Sequence, residues 1–303
     1  MRGKRDGLVH APQAEADVSG AFEIRGSLLT GENGIPPRKT SLVQQDYWDA
    51  RLSENWGLHG VGSLAYGRAW NRWLYRVRSH AFADACRRSG RNFAGRRVLD
   101  IGSGTGFYVS RWREFGVSDL VGLDFSAFAV SRLRERFPEA EFMVADIGEE
   151  AVPLPQESFD AVSVFDVLFH IVDDERYLNA LRTMHGALRP DGLLFYSDNF
   201  IRKGTRRHED YWKSRSLAEI ETALEAAGFE MLFRIPVFVL MGSPVDLDRP
   251  RLQRLWERVM RRTGKRAWRG QALGAVLYPL ELLLRKIVSE GPSTEIAVCR
   301  KRR

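Results

Sequence analysis

The stretch Val98-Leu99-Asp100-Ile101-Gly102-Ser103-Gly104-Thr105-Gly106 constrains this chain more than any other. Bulky apolar residues with an acid near their end read as a strand covered on both faces. Three glycines at every second position then remove side chains where a ligand must come close to the backbone. The helix expected from Phe107 to about Glu114 would present its free N–H groups at the same turn. A dinucleotide fingerprint needs a small third residue in G-x-G-x-x-G, to pack helix on strand. Phe107 stands there, which argues against NAD or FAD. A Walker loop would need Gly-Lys-Ser/Thr, which is also missing. An acid at the strand end would repel a pyrophosphate and suit a ligand carrying an ammonium group. Taken alone, the glycines are a weak signal, more often those of an ordinary tight turn.

Three more apolar runs repeat the pattern. Leu120–Asp124, Glu141–Asp146 and Ser158–Asp166 each end in an acid, with turns or helices between them. The alternation predicts a doubly wound, mostly parallel sheet with helices on both faces. It brings Asp100, Asp124, Asp146 and Asp166 to one sheet edge. One or two such acids are accounted for as helix N-caps. Four at successive strand ends point to one shared site, where Asp124 is placed to accept both hydroxyls of a ribose.

On these residues the chain resembles the class I S-adenosylmethionine-dependent methyltransferases, of the small-molecule, metal-independent type. VLDIGSGTG, VGLDFS, VADIGE, FDAVSVFDVLFHI and LRPDGLLFYSDN follow in the family's order and spacing. The resemblance covers about 96–237 and the last strand near 295–300. It implies an α/β fold with a seven-stranded sheet, and S-adenosyl-L-methionine as cofactor. It also implies that Asp100, Gly102, Ser103 and Gly104 hold the methionine portion and that Asp124 and Phe125 hold the ribose. Asp146 would accept from the adenine amino group, with the Ile147 N–H at the ring. Phe165 would stand at the sulfonium end and Tyr47 over the cofactor. The Asn-Pro-Pro-Tyr signature of nucleic-acid amino-methyltransferases is replaced by Phe165-Asp166-Val167-Leu168. The metal-dependent catechol pattern is not visible, so no metal is expected.

Charge and cysteine content bound the setting. The formal net charge is +7, and the excess sits after Arg249 while the remainder is slightly acidic. Such a bias fits an anionic partner: phosphate, nucleic acid or anionic lipid. Only Cys86 and Cys299 are present, far apart, which fits a reducing cytoplasm and no zinc site. No signal peptide opens the chain and no run is long enough to span a bilayer.

The expected organisation is a mobile tail over 1–40, a helical cap over 41–95, the catalytic domain over 96–237 and 294–300, and an insertion over 238–293. Within the cap, 57–67 has four glycines and reads as a flexible loop. Ser216 and Glu219 read as a capping box. The insertion divides into a basic, tryptophan-bearing helix and a strongly apolar one that Pro279 should interrupt. It reads as a lid or as an anionic membrane contact through 249–288.

For chemistry, His170 is the leading base candidate, just past the fourth strand at the ligand edge. His208 is second, in a polar loop where Arg206, Arg207 and Arg215 are placed to bind an anionic substrate group. His59 is third, and His185 is discounted as structural. The expected acceptor is a hydroxyl of a bulky, partly apolar or lipid-linked small molecule, such as a glycolipid or natural product. Carbon methylation of a quinone or polyketide, nucleic-acid methylation by the basic region, and cofactor binding without catalysis are the alternatives. A nucleic-acid partner is disfavoured by the missing signature; the oligomeric state does not follow from the sequence.

Overall fold

The computed structural model describes residues 41–202, 204–208 and 212–302, without the side chains of 41–43, 207 and 208. The expected tail over 1–40 lies outside them. Four helical pieces precede the sheet: α1 (Ser41–Glu54), α2 (Leu58–Val61), a 3-10 turn over Leu64–Tyr66, and α3 (Gly67–Arg88). The glycine-rich 57–67 is therefore helical in part, not an open loop. Asn71 explains this: its side chain accepts from the Ser63 N–H and donates to the Ser63 and Gly67 carbonyls. One buried amide thus supplies the backbone partners that glycines cannot.

The remaining elements are β1 (Arg97–Ile101), α4 (Phe107–Glu114), β2 (Asp119–Asp124), α5 (Ala127–Arg136), β3 (Glu141–Val144), β4 (Phe159–Val164), α6 (Asp174–Ala187), β5 (Leu188–Asp198), β6 (Arg206–His208), β7 (Trp212–Ser214), α7 (Leu217–Ala226), β8 (Phe229–Pro236), α8 (Pro250–Gly264), α9 (Ala267–Ile287) and β9 (Glu295–Lys301). Seven strands form one sheet in the order β3-β2-β1-β4-β5-β9-β8. β9 alone runs antiparallel, to both β5 and β8. The chain leaves β1 toward β2 and β3, then returns to place β4 on the other side. That reversal opens a crevice beyond the carboxyl ends of β1 and β4, where doubly wound sheets bind ligands.

Successive strand residues face opposite layers, so Val98 and Leu99 enter different cores. One core joins Trp70, Val77 and Phe82 of α3 to Trp112 and Phe195. The other joins Tyr177 and Leu181 of α6 and Leu224 of α7 to Leu99, Val162 and Leu194. The capping box forms as read: Ser216 accepts from the Glu219 N–H while the Glu219 carboxylate accepts from the Ser216 N–H.

Pro190-Asp191-Gly192 forms a bulge inside β5, where the register shifts between Phe159 and Ala161 of β4 and Asp191 takes φ +61°. One expectation changes. Pro279 sits inside continuous α9 instead of breaking it. Its cost is met by anchors that follow it. The buried Glu281 carboxylate accepts from the Val239, Leu240 and Met241 N–H groups, and Arg285 donates to the Pro236 carbonyl at 3.0 Å. Tertiary contacts hold the helix that propensity alone would interrupt.

Candidate active site

A cavity of about 140 Å³ lies at the crevice beyond β1 and β4. Its floor is the turn after β1. Gly102 has φ +69°, and a Cβ there would lie 2.2 Å from Val167 Cγ2 on the opposite wall. Any side chain at this position would displace the wall. Gly104, at φ +52°, lets its N–H meet Asp124 Oδ2 at 2.7 Å, while Asp124 Oδ1 accepts from the Ser126 N–H at 2.9 Å. Each carboxylate oxygen keeps a lone pair for a ligand. Burial pushes the Asp124 carboxyl up to about 6, against those two N–H bonds.

Asp100 lies beneath this floor and is not among the cavity-lining residues. A buried relay positions it: the Trp112 indole donates to Ser163 Oγ at 2.8 Å, and Ser163 donates to Asp100 Oδ1 at 2.6 Å. Its other oxygen, Oδ2, is buried with no hydrogen-bond partner among the described residues. Burial lifts its carboxyl to about 7. An unpaired buried carboxylate oxygen beside a glycine turn is what a ligand ammonium would complete.

The far end of the cavity is lined by Phe125, Asp146 and Ile147. Asp146 is already engaged: Oδ2 accepts from Arg176 at 2.7 Å and Oδ1 from the Gly148 N–H at 2.9 Å. Arg176 itself lines the cavity, a residue that no motif reading would select. It enters because the Asp173 N-cap, accepting from the Glu175 and Arg176 N–H groups, starts α6 where Arg176 can reach Asp146 just past β3.

The opposite end is aromatic. Phe165 stacks on Tyr108 with centroids 4.0 Å apart, and Tyr75, Phe107 and Trp48 join the wall. Asp166 follows Phe165 in the left-handed region at φ +59°, a conformation costing about 1–3 kcal/mol unless its surroundings impose it. They do: Arg78 Nη1 is 2.5 Å from Asp166 Oδ2, and Ser197 Oγ accepts from the Asp166 N–H at 2.8 Å. Burial holds the Tyr108 phenol above the usual tyrosine range, so it stays neutral. The Arg78–Asp166 pair joins α3 to the end of β4 and went unread in the sequence.

His170 lines the same cavity, on a 3-10 turn over Leu168–His170. Its ring stands edge-on to Trp48 at 5.7 Å and against Phe169 at 4.5 Å. Its carbonyl accepts from Gln44 at 3.5 Å, so α1 closes over it. Asp49 pins the lid, accepting from Ser126 Oγ and from the Phe128 N–H. Trp48, not its neighbour Tyr47, reaches the cavity; the Tyr47 hydroxyl accepts from Arg51 at 3.1 Å instead.

The other candidates lie elsewhere. His208 is in β6, paired with Trp212 of β7, and its side chain is outside the described residues. Arg215 is not an anion site: it is buried, donates to Asp174 at 2.8 Å and to the Ile171 carbonyl, and stacks over Tyr177 at 3.7 Å. His59 lies near Asn71, off the cavity. Among the described residues no group of three or more His, Cys, Asp and Glu could hold a metal ion.

A methyltransferase-domain family model matches residues 98–192, which span β1 through the start of β5. A probable S-adenosylmethionine-dependent methyltransferase of Mycolicibacterium smegmatis is 28% identical over 215 residues, covering 69% of this chain and 68% of that protein. These similarities support a class I S-adenosylmethionine-dependent methyltransferase. A tRNA U34 carboxymethyltransferase of a Geobacter species is 30% identical over 150 residues, but the match spans under half of either protein, 45% of each. The solved 1,6-didemethyltoxoflavin-N1-methyltransferase of Burkholderia thailandensis, with 1,6-didemethyltoxoflavin and S-adenosylhomocysteine bound, has the same fold. Its TM-score is 0.51 at 16% identity, covering 90% of this chain and 94% of that one. The methyltransferase's residues fit the cofactor at three points: the orphan Asp100 oxygen, the side-chain-free Gly102–Gly104 floor, and the two accepting oxygens of Asp124.

Proposed function

We propose that this methyltransferase methylates a hydroxyl on a bulky, partly apolar or lipid-linked small molecule, with His170 as general base. The observation behind this reading is that His170 lines the same cavity as the glycine floor and Asp124, within an aromatic wall of Trp48, Tyr75 and Phe165. The bound cofactor supplies an electrophilic methyl group on a sulfonium.

The chain's residues do the rest. Asp100, Gly102 and Gly104 hold one end of the cofactor, Asp124 the ribose, and Ile147 and Asp146 the adenine end. Phe165, fixed by its stack on Tyr108, borders the place where donor and acceptor meet. Alignment is the main lever in such a displacement, because a held pair reacts with a high effective concentration. An alcohol keeps its proton near neutral pH, so its transfer needs a base; a neutral imidazole can take that proton at Nδ1 or Nε2. The aromatic rings exclude water and give an apolar acceptor its contact area.

The test is transfer from methyl-labelled cofactor to a panel of hydroxylated glycolipids and polycyclic natural products, with the methyl position read by NMR. An O-methyl ether supports the reading. Label found only on carbon, on nitrogen or in RNA overturns it.

A further inference from the structure

α9 has two apolar sides, and only one is packed: Leu273, Leu277 and Tyr278 lie against the core. Its buried residues are Gly270, Gly274, Glu281 and Arg285. The two glycines let it lie close on α3, since a Cβ at Gly274 would fall 2.0 Å from Trp73 Cδ1. Glu281 and Arg285 are consumed by the backbone of 236–241. Val276, Leu280, Leu283 and Ile287 recur at spacings of four, three and four, which puts them on one helix face. That face is exposed: Val276 by 70%, Ile287 by 69%, Leu283 by 55% and Leu280 by 44%. An aliphatic stripe left outward on a helix whose other apolar side already packs on the core is not built to face water.

α8 packs beside α9. Met260 and Thr263 are buried, and Trp256 donates its indole N–H to the Leu240 carbonyl at 3.2 Å. Leu252, Leu255 and Val259 remain exposed along one edge. Arg251, Arg258 and Arg262 fall on the neighbouring strip by helical spacing. Residues 249–269 carry nine basic side chains and one acid, Glu257. Trp268, 63% exposed, stands at the start of α9 between Arg266 and Arg269. No helix among the described residues is long and apolar enough to cross a membrane.

From this combination we infer that α8 and α9 dock the enzyme onto the surface of an anionic bilayer, with the Val276–Ile287 stripe entering the acyl boundary and the arginines meeting lipid phosphates. Exposed aliphatics beside a basic strip, with a tryptophan among arginines, are the features of an interfacial helix. A second copy of the chain suits the surface less well. Two-fold pairing through this stripe would bring two arginine-rich α8 helices to the same interface. Nucleic acid would use the arginines and leave the aliphatic stripe in water. The inference does not depend on which acceptor is methylated.

The test is co-sedimentation of the full-length protein with phosphatidylcholine vesicles, with and without phosphatidylglycerol. Binding is expected on the anionic vesicles, weaker on the neutral ones, and falling as salt screens the charges. Leu280→Glu with Leu283→Glu alters only exposed positions. It should reduce vesicle binding at least tenfold while circular dichroism and S-adenosylhomocysteine affinity stay unchanged. Arg251→Glu with Arg258→Glu should abolish the preference for anionic lipid. The inference is overturned by equal, salt-insensitive binding to both vesicle types or by absence of binding to either. It also fails if sedimentation velocity shows a dimer that the Leu280→Glu, Leu283→Glu variant dissociates while vesicle binding is absent.

Discussion

The Gly104 N–H donates to Asp124 Oδ2 at 2.7 Å, so the turn after β1 is tied to the end of β2 before any ligand arrives. Asp124 therefore has two tasks. It fixes the floor of the cavity and, on the proposed cofactor fit, would offer the acceptors for ribose.

Asp124→Ala should fail at both. The Gly104 and Ser126 N–H groups lose their partner, at about 1–3 kcal/mol for each group left buried and unpaired. Calorimetry with S-adenosylhomocysteine should show at least roughly tenfold weaker binding, corresponding to about 1.4 kcal/mol. Thermal unfolding should show a lower midpoint as well. Asp124→Asn should not restore binding, because one of its two atoms is a donor facing an N–H. Wild-type affinity in either variant would remove Asp124 from the site.

Asp100 should set a pH dependence of opposite sign in stability and in binding. Burial places its folded carboxyl at about 7, above the ordinary value of 3.8, and places Asp124 at about 6. Between those limits the folded, ligand-free protein holds protons that the unfolded chain has released. These groups' contribution to stability is therefore complete below about pH 4 and is lost as pH rises through 6 and 7. A cationic ligand group at Oδ2 needs the carboxylate, so cofactor affinity should rise over the same interval. Asp100→Asn should reduce both slopes. Parallel melting curves and titrations from about pH 5 to pH 8 decide it, and a wild-type affinity independent of pH contradicts the assignment.

Glu281 gives a test away from the cavity. Its carboxylate accepts from three consecutive N–H groups, of Val239, Leu240 and Met241, and is fully buried. Glu281→Leu orphans all three. The expected loss is at least about 3 kcal/mol, counting ~1 kcal/mol for each at the low end. Denaturant unfolding should show it as a lower midpoint with little change in slope. A loss under about 1 kcal/mol would mean that water satisfies the 239–241 turn in the variant.

The sheet was legible because each central strand is a short apolar run ending in an acid, and because the crossovers are right for parallel pairing. Asp124, Phe125, Asp146, Ile147, Phe165 and His170 all reach the cavity that their strand ends implied. What escaped depends on contacts between distant elements. The Asn71 amide organises 63–67 from about one turn into α3, and nothing in the four glycines records it. Arg78 meets Asp166 only because α3 crosses the end of β4. The β6–β7 hairpin has three-residue strands, too short for a period to show. Trp48 rather than Tyr47 faces the cavity because α1 is rotated by the Asp49 anchor on Ser126, a tertiary contact.

His170 decides the chemistry. If it takes the acceptor's proton, His170→Gln should lower kcat by about 10²–10⁴-fold, the usual worth of general-base help. Cofactor affinity should hold, because the Gln44 contact is to the His170 carbonyl and survives the change. The wild-type rate should fall as pH drops through the imidazole's pKa, where the protonated ring can no longer accept, and the variant should lack that step. His170→Ala also opens the packing against Trp48 and Phe169, so the glutamine variant separates loss of the base from loss of the wall. Full turnover in His170→Gln with an unchanged pH profile would leave the aromatic cavity as a positioning device. Catalysis would then rest on alignment alone, and a carbon or amine acceptor, which needs no such base, would displace the hydroxyl.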